Sequence, residues 1–168
     1  METKVAQIRR GRPDDSPKLA EVYADAWRGA YQGIIPHKQL ERMIALRGPG
    51  WWDTAIVRKN AMLVLDFGGE PLGYTTYGRS RLRRSAFQGE IYELYIHPVY
   101  QGLGFGEQLF SGARKCLANA GAKGLVIWAL ADNDAACNFY LNRGGEPVAE
   151  GAERFGDVSL RKIAFAWR

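Results

Sequence analysis

A cluster of three glycines between a strand-like run and a helix-like run is the feature that most restricts the fold of this chain. Residues 90–96 read EIYELYI, residues 100–106 read YQGLGFG and residues 107–120 read EQLFSGARKCLANA. Glycine within a regular element costs roughly 0.5–1 kcal/mol relative to alanine, so the cluster indicates left-handed backbone or a group lying against the main chain. A glycine loop that leads into a helix N-terminus is also typical of an anion-binding site.

Hydrophobic periodicity predicts the elements before this unit. Residues 5–11 (VAQIRRG) predict a first strand. Ser16 and Pro17 follow as an N-cap and a first-turn proline, and the apolar residues of the predicted helix then recur every three or four positions. Residues 35–46 (IPHKQLERMIAL) predict a second, shorter helix that RGPG ends.

The rest of the chain predicts strands and one more helix. Three β-rich runs, TAIVRK (54–59), AMLVLDF (61–67) and LGYTTYG (72–78), predict an antiparallel meander. LVIWAL (125–130) is apolar throughout, as expected of a strand buried beside a parallel neighbour. DAACNFYLNR (134–143) predicts a short helix, and EPVAE with VSLRKIAFAW predicts a final strand pair. This order indicates a mixed α/β sheet with helices packed on it.

Composition restricts the domain organisation and the compartment. A length of 168 residues, 46% hydrophobic content and the absence of a low-complexity linker predict a single domain over residues 1–168. We expect a cytoplasmic protein that does not enter a membrane, because the chain has no signal-peptide h-region and no apolar run of about 18–20 residues. Cys116 and Cys137 lack CxxC or histidine spacing, so we expect neither a disulfide framework nor a metal site.

The charge of the chain favours anionic ligands. The formal net charge is +5, and the basic run RSRLRR occupies residues 79–84. This run predicts either a solvated loop or a contact with a phosphate or an acidic substrate. We do not expect nucleic-acid binding, because the run lacks interleaved aromatic side chains and a recognition motif.

The glycine spacing distinguishes between known phosphate loops. A Walker A loop requires Gly-Lys-Ser/Thr at its end, but Glu107 and Gln108 follow Gly106. A dinucleotide fingerprint requires G-x-G-x-x-G early in a βαβ unit, and these glycines have a different spacing and follow several strands. The segment from Gln101 to Gly106 instead reads Q-x-x-G-x-G, and with the preceding strand it resembles motif A of the GNAT superfamily of acetyl-CoA-dependent N-acetyltransferases.

Two further segments extend this resemblance over nearly the whole chain. Asn133 after LVIWAL, followed by Phe139, Tyr140 and the end of a short helix, resembles motif B of that superfamily. Asn133 also suits the N-cap of that helix. The segment WRGAYQGIIP (27–36) resembles the region that borders the acceptor amine, which implies that Trp27 and Tyr31 bind substrate.

The resemblance implies a fold and a reaction. The fold would be a GNAT-like α/β (α+β) fold with a mostly antiparallel sheet of six to seven strands flanked by helices. The reaction would move the acetyl group of acetyl-CoA to a primary amine by direct attack in a ternary complex. The implied acetyl-CoA-binding residues are Leu94 and Ile96 through their backbone, Gln101, Gly102, Leu103, Gly104, Phe105, Gly106, Asn133 and Tyr140. The acceptor remains open between a small-molecule amine and a peptide or protein amine, a homodimer is among the alternatives, and the rival function is a catalytically silent acyl-CoA-binding sensor or interaction module.

Two glutamates and one tyrosine are the predicted catalytic residues. Side chains alternate along a strand, so Glu90 and Glu93 should point to opposite faces and only one should face the cleft. We favour Glu93, which shares a face with Tyr95. The resemblance implies that a glutamate on this strand acts as the general base and that Tyr140 protonates the departing thiolate.

Overall fold

The computed structural model describes residues 3–58 and 61–168. The strands are β1 (Ala6–Arg10), β2 (Met62–Phe67), β3 (Glu70–Arg79), β4 (Gly89–Ile96), β5 (Leu125–Leu130), β6 (Glu146–Phe155) and β7 (Val158–Trp167). The helices are α1 (Ser16–Tyr31), α2 (His37–Leu46), α3 (Pro49–Arg58), α4 (Phe105–Asn119) and α5 (Asp134–Asn142). The strands form one sheet in the order β1-β2-β3-β4-β5-β7-β6, in which only β4 and β5 pair in parallel. The predicted mixed, mostly antiparallel fold is confirmed.

One predicted strand is wrong. Residues 54–58 of the run TAIVRK form the second half of α3, and Lys59, its last residue, lies outside the described residues. Pro49 is the first residue of α3, a position where the missing N–H has no helical partner to lose. The buried residues of the helix have helical spacing: Trp52, Ala55 and Ile56. The helical periodicity begins before Thr54. The β-branched residues at the end of α3 therefore resemble a strand only when they are considered without the residues that precede them.

Helices cover both faces of the sheet. The helices α1, α2 and α3 pack on one face, where their apolar side chains form a cluster with Val64, Tyr74 and Leu130. The helices α4 and α5 pack on the other face, where the cluster includes Ile91 and Ile127. None of the described helices has the length and hydropathy that crossing a bilayer requires.

The sheet opens between the carboxyl halves of β4 and β5. Within the described residues, the parallel ladder consists of the pairs Gly89–Leu125, Glu90–Val126 and Ile91–Ile127. Beyond this ladder β4 stays paired with β3 as far as Ile96, and β5 stays paired with β7 as far as Leu130. The two strands therefore leave a gap that is accessible from both helical layers.

A register shift accompanies this gap. Thr76 of β3 pairs with Glu93, whereas the next residue, Tyr77, pairs with Ile91. Tyr92 is thus an extra residue in β4, as in a β-bulge. The shift interrupts the alternation of side chains along β4.

The shift changes the predicted direction of one glutamate. Glu90 pairs with Gly78, and paired residues in an antiparallel ladder lie on the same face. Gly78 and Thr76 are two residues apart and also share a face, so Glu90 and Glu93 lie on the same side of the sheet. The prediction that these glutamates point to opposite faces is wrong, because it assumed uninterrupted alternation.

The basic run at residues 79–84 contains an arginine that anchors the β3–β4 connection. The carboxylate of Glu90 accepts hydrogen bonds from the Arg81 backbone N at 2.9 Å, Nε at 3.1 Å and Nη2 at 2.6 Å. The Glu90 side chain is completely buried, whereas that of Arg81 is 67% exposed. Because a buried carboxylate without partners is costly, Arg81 fixes this connection against the sheet.

We predict that Arg81→Ala lowers the free energy of unfolding by about 2 kcal/mol, since the buried carboxylate of Glu90 loses two charge-assisted hydrogen bonds. Urea unfolding monitored by circular dichroism measures this difference. Arg83→Ala is the matched control, because Arg83 is exposed and its loss should change the free energy by less than about 0.5 kcal/mol. Equal effects of the two substitutions would contradict the anchoring role.

Candidate functional site

A cavity of about 680 Å³ occupies the gap between β4 and β5. Residues of α1, β4, the glycine loop, the start of α4, β5 and α5 all contribute to its wall. Among the residues predicted from the sequence, the wall contains Tyr31, Glu93, Leu94, Ile96, Gln101, Gly102, Gly104, Gly106, Asn133 and Tyr140. The structure therefore brings most of the predicted site together in one place.

The glycine loop leaves its backbone open at the N-terminus of α4. Gly102 and Gly104 have φ angles of +79° and +84°, which only glycine adopts readily, and open space surrounds the Cβ position of both. Gly104 is the N-cap of α4, and no side chain of the described residues caps this end. The unpaired N–H groups of the first turn and the helix dipole favour an anion here.

Two predicted loop residues direct their side chains elsewhere. Leu103 is 63% exposed and Phe105 packs toward Phe67, with ring centroids 6.3 Å apart. Neither residue belongs to the cavity wall. A ligand in the cavity could therefore use only their main-chain groups.

The side chains of Gln101 and His97 fix the glycine loop and the residues before it to β4 and α1. Gln101 Nε2 donates to the carbonyl oxygen of Ile96 at 3.0 Å. His97 Nδ1 accepts the backbone N–H of Val99, so its Nε2 carries the proton that faces Asp25 Oδ2 of α1 at 3.0 Å. The pairing with Asp25 therefore ties the residue before Pro98 to α1.

Glu93 lies in the cavity wall with three partners. Its Oε1 forms an ion pair with Arg47 and accepts from the Tyr74 hydroxyl at 3.5 Å, while its Oε2 accepts from Thr76 at 3.2 Å. The Arg47 guanidinium lies 4.8 Å from the ring centroid of Tyr23. Arg47 was not among the predicted site residues, because it follows α2 in a segment without a recognisable motif.

The other glutamate lies outside the wall of the cavity. Glu90 is buried beneath Arg81 and does not contribute to the lining. Tyr95 packs in the cluster beneath α1, on the face that it was predicted to share with Glu93, whereas Leu94 and Ile96 pack beneath α4.

Three tyrosines pack between α1 and the sheet, namely Tyr31, Tyr74 and Tyr95, and the Tyr74 hydroxyl donates to Glu93. The Tyr31 and Tyr95 hydroxyls are 2.7 Å apart, and burial raises the pKa of both groups above the ordinary tyrosine value. Burial likewise raises the pKa of Tyr74. These hydroxyls therefore stay protonated and uncharged at neutral pH.

Trp27 lies behind the wall that Tyr31 forms. Its ring packs 4.9 Å from Tyr31 and 5.9 Å from Tyr95 between centroids, and it does not line the cavity. Its Nε1 is buried without a hydrogen-bond partner among the described residues. Tyr31 can therefore contact substrate directly, whereas Trp27 holds Tyr31 in position.

Asn133 and Tyr140 face the loop from the α5 side. Asn133 Oδ1 accepts the backbone N–H of Ala136 at 3.2 Å, so its predicted capping role is confirmed while its side chain also lines the cavity. Tyr140 is 6% exposed, and burial raises the pKa of its hydroxyl well above the ordinary value. Tyr140 is therefore a neutral hydrogen-bond donor at the wall.

An ion pair joins the end of α5 to α4 at the rim of the cavity. Arg143 pairs with Glu107 of the first turn of α4 and lies over the ring of Phe139, 3.4 Å from its centroid. Within residues 3–58 and 61–168, no group of three or more His, Cys, Asp or Glu side chains is arranged to hold a metal ion.

Comparison with known sequences identifies relatives along most of the chain. A model of the acetyltransferase (GNAT) family matches residues 18–144. An uncharacterised N-acetyltransferase of Bacillus subtilis is 25% identical over 160 residues, which cover 95% of this chain and 91% of that protein. The spermidine N(1)-acetyltransferase of Thermoplasma acidophilum is 26% identical over 139 residues, which cover 82% and 86% of the two chains.

Solved structures share the fold. The PaiA N-acetyltransferase of Thermoplasma acidophilum, crystallised with coenzyme A, has a TM-score of 0.75 and 20% identity over 94% of this chain and 98% of that one. A ribosomal-protein-alanine N-acetyltransferase of Brucella melitensis has a TM-score of 0.70 and 19% identity over 96% and 98% of the chains.

Proposed function

Because this chain belongs to the GNAT acetyltransferase family, we propose that it transfers the acetyl group of acetyl-CoA to a primary amine bound between β4 and β5. The proposed route is direct attack in a ternary complex. One observation carries it: a single cavity joins the uncapped end of α4 to Glu93 on one side and Tyr140 on the other. The free thiols of both cysteines support a reducing compartment, and we propose the cytoplasm.

The loop fits the diphosphate of acetyl-CoA. Its N–H groups have no side-chain cap, and the open space beside Gly102 and Gly104 allows an anion to approach the main chain. We assign the diphosphate to the backbone of residues 102–106, with Leu103 and Phe105 contributing amides only. When bound, acetyl-CoA supplies the activated thioester.

The free edge of β4 suits the pantetheine arm and the thioester carbonyl. Beyond Ile91 this strand no longer pairs with β5, so its main-chain groups are open to a ligand in the gap. We assign the carbonyl oxygen to the backbone N–H of Leu94. A fixed donor at the developing oxyanion typically makes the largest contribution to catalysis. Ile96, whose carbonyl oxygen accepts from Gln101, holds the arm beside the loop.

Glu93 is the proposed general base. The amine nitrogen forms a bond to the acetyl carbon, the carbon–sulfur bond breaks, and the amine proton passes to Glu93 directly or through water. Arg47, Tyr74 and Thr76 fix the carboxylate in one orientation. We assign no catalytic role to Glu90, because its carboxylate oxygens accept hydrogen bonds from Arg81 away from the cavity.

Tyr140 is the proposed partner of the departing thiolate. An ordinary phenol is already a weaker acid than a thiol, and burial raises the pKa of Tyr140 further. Full proton transfer to the sulfur is therefore unfavourable, and Tyr140 stabilises the thiolate mainly by donating a hydrogen bond.

We predict that Gly104→Val weakens acetyl-CoA binding at least tenfold, because valine disfavours φ of +84° and obstructs the anion site. Isothermal titration calorimetry measures this affinity. Gly121→Val is the matched control, since Gly121 has φ of +86° with open space around it at the other end of α4. Unchanged affinity in Gly104→Val would show that the loop is only a turn.

We predict that Glu93→Gln reduces kcat/KM by about 10²-fold or more and removes the acidic limb of its pH profile, as expected on loss of a positioned base. Glu90→Gln should keep the wild-type profile. An unchanged profile in Glu93→Gln would mean that the amine loses its proton elsewhere.

We predict that Tyr140→Phe lowers kcat by about tenfold to a hundredfold and leaves the acetyl-CoA Kd within about twofold. The substitution removes only the hydroxyl, which interacts with the thiolate charge that develops late in the reaction. The assay measures thiol release from acetyl-CoA with peptide N-termini, lysine peptides, polyamines and monoamines as acceptors. The Kd of acetyl-CoA is measured in parallel. Wild-type protein that binds acetyl-CoA but acetylates no amine would favour the non-catalytic acyl-CoA-binding module.

A further inference from the structure

One histidine ring connects the two sides of the candidate site. His97 follows β4 and begins the short helical turn Pro98–Tyr100 that leads into the glycine loop. Its Nδ1 accepts the backbone N–H of Val99 at 3.2 Å, so its Nε2 carries the proton and donates to Asp25 Oδ2 of α1 at 3.0 Å. The two ring nitrogens therefore bond to two different segments of the chain.

Asp25 depends on His97 for this contact. Within the described residues, His97 is the only side chain that hydrogen-bonds to the Asp25 carboxylate. Arg28, the cation one turn further along α1, instead donates to both carboxylate oxygens of Glu41, at 3.0 and 2.9 Å. The Arg28–Glu41 pair joins α1 to α2, whereas the Asp25–His97 pair joins α1 to the turn before the glycine loop.

Close packing supports the same junction. Gly29 lies four residues after Asp25 and therefore on the same face of α1. A Cβ atom at Gly29 would lie 3.2 Å from Pro98 Cγ, which is tighter than an ordinary contact. The absence of a side chain at this position thus lets α1 approach the turn closely enough for the hydrogen bond.

The two joined segments form different walls of the cavity. Ala26, Gly29 and Tyr31 of α1 line one side, and the chain after the turn lines another through Gln101 and Gly102. In the proposed function the amine lies beside α1 and the diphosphate of acetyl-CoA lies on the loop. The junction at His97 therefore sets the position of one wall relative to the other.

Resting on the proposed acetyltransferase function, we propose that His97 is a positioning residue of the reaction. Through Asp25 it fixes the α1 wall beside the acceptor relative to the loop that holds acetyl-CoA. Neither His97 nor Asp25 lines the cavity, so both act through the segments that they join. A displacement of about 1 Å between reacting groups can lower a rate by about a hundredfold. Loss of the pair should therefore slow acetyl transfer more than it weakens cofactor binding.

Two substitutions of His97 separate the roles of its ring nitrogens. The amide oxygen of asparagine can replace Nδ1 as the acceptor for Val99, but this side chain is too short to reach Asp25. The amide nitrogen of glutamine can replace Nε2 as the donor to Asp25. We expect His97→Asn to lower the single-turnover rate of acetyl transfer about tenfold and His97→Gln to lower it less than about threefold. The acetyl-CoA Kd should stay within about twofold of the wild-type value in both variants.

The rate is measured with saturating acetyl-CoA and with whichever amine the wild-type protein acetylates fastest among peptide N-termini, lysine peptides, polyamines and monoamines. Asp25→Ala should match His97→Asn, and the double variant should be no slower than either single variant, because both substitutions remove the same bond. Asp25→Asn keeps an oxygen that accepts from Nε2 and should restore most of the rate. Wild-type rates in His97→Asn and Asp25→Ala, or additive losses in the double variant, would overturn the inference.

Glu41→Ala is the matched control for the loss of a partly exposed pair on α1. It removes the ion pair with Arg28, which joins α1 to α2 and does not contact the turn. Its single-turnover rate should stay within about twofold of the wild-type rate. A loss as large as that of Asp25→Ala would mean that any loosening of α1 slows the reaction, and it would contradict the specific role of His97.

Amide hydrogen exchange tests the junction without turnover, with coenzyme A as the probe. In the wild-type protein, coenzyme A should slow exchange both in the loop peptide, residues 101–110, and in the α1 peptide, residues 25–33. In His97→Asn and Asp25→Ala the loop peptide should keep its protection, whereas the protection of the α1 peptide should fall by about half or more. Equal protection of the α1 peptide in all three proteins, or none in the wild type, would overturn the inference.

The two measurements also separate this inference from the catalytic proposal. Protection of α1 that depends on the pair, in a wild-type protein that acetylates no amine, would support the junction and contradict catalysis. Acetyl transfer at the wild-type rate in every variant would support catalysis and contradict the positioning role.

Discussion

The separation of β4 from β5 after Ile91 is the constraint on which the site depends. A parallel pair normally satisfies the main-chain groups of both strands, but here β4 keeps only its β3 partner and β5 only its β7 partner. The resulting gap gives a ligand access to main-chain groups from both helical layers. The shift at Tyr92 directs Glu93 and Tyr95 toward α1 and leaves Leu94 directed toward α4. In the proposed function, acceptor chemistry and cofactor binding therefore fall on opposite sides of one sheet.

Interactions at each end hold this gap open. On one face, Tyr31 meets Tyr95 and Arg47 pairs with Glu93, so α1 and the segment after α2 are fixed to β4. On the other face, the ring of Phe139 lies close to Gly106, where an added Cβ would come within 3.1 Å. The third glycine of the loop thus permits close packing of α4 and α5, whereas the first two supply left-handed backbone. These two roles explain the spacing that distinguishes this loop from other phosphate loops.

The parts of the fold and site that the sequence predicted correctly are those that local sequence patterns determine. The strand, glycine loop and helix unit follows from a β-rich run, three glycines and an amphipathic run, and Tyr140 and Asn133 follow from a motif. Residues 54–58 were misassigned because β-branched residues ended a helix that had begun at Pro49. Glu90 was misplaced because a bulge cannot be recognised from alternation alone. Arg47 reaches Glu93 only through tertiary packing, for which no local pattern exists.

The chain has a net charge of +5, and basic side chains support its site by pairing with single carboxylates. Arg47 and Arg81 each pair with a carboxylate of β4 and also lie near an aromatic ring of the site or of its support. An amine must lose its proton before it attacks the thioester, and Arg47 holds the carboxylate of Glu93, the proposed base, in the wall of the cavity. The two ion pairs therefore have different roles: the pair at Glu93 orients a proposed catalytic group, whereas the pair at Glu90 anchors the β3–β4 connection.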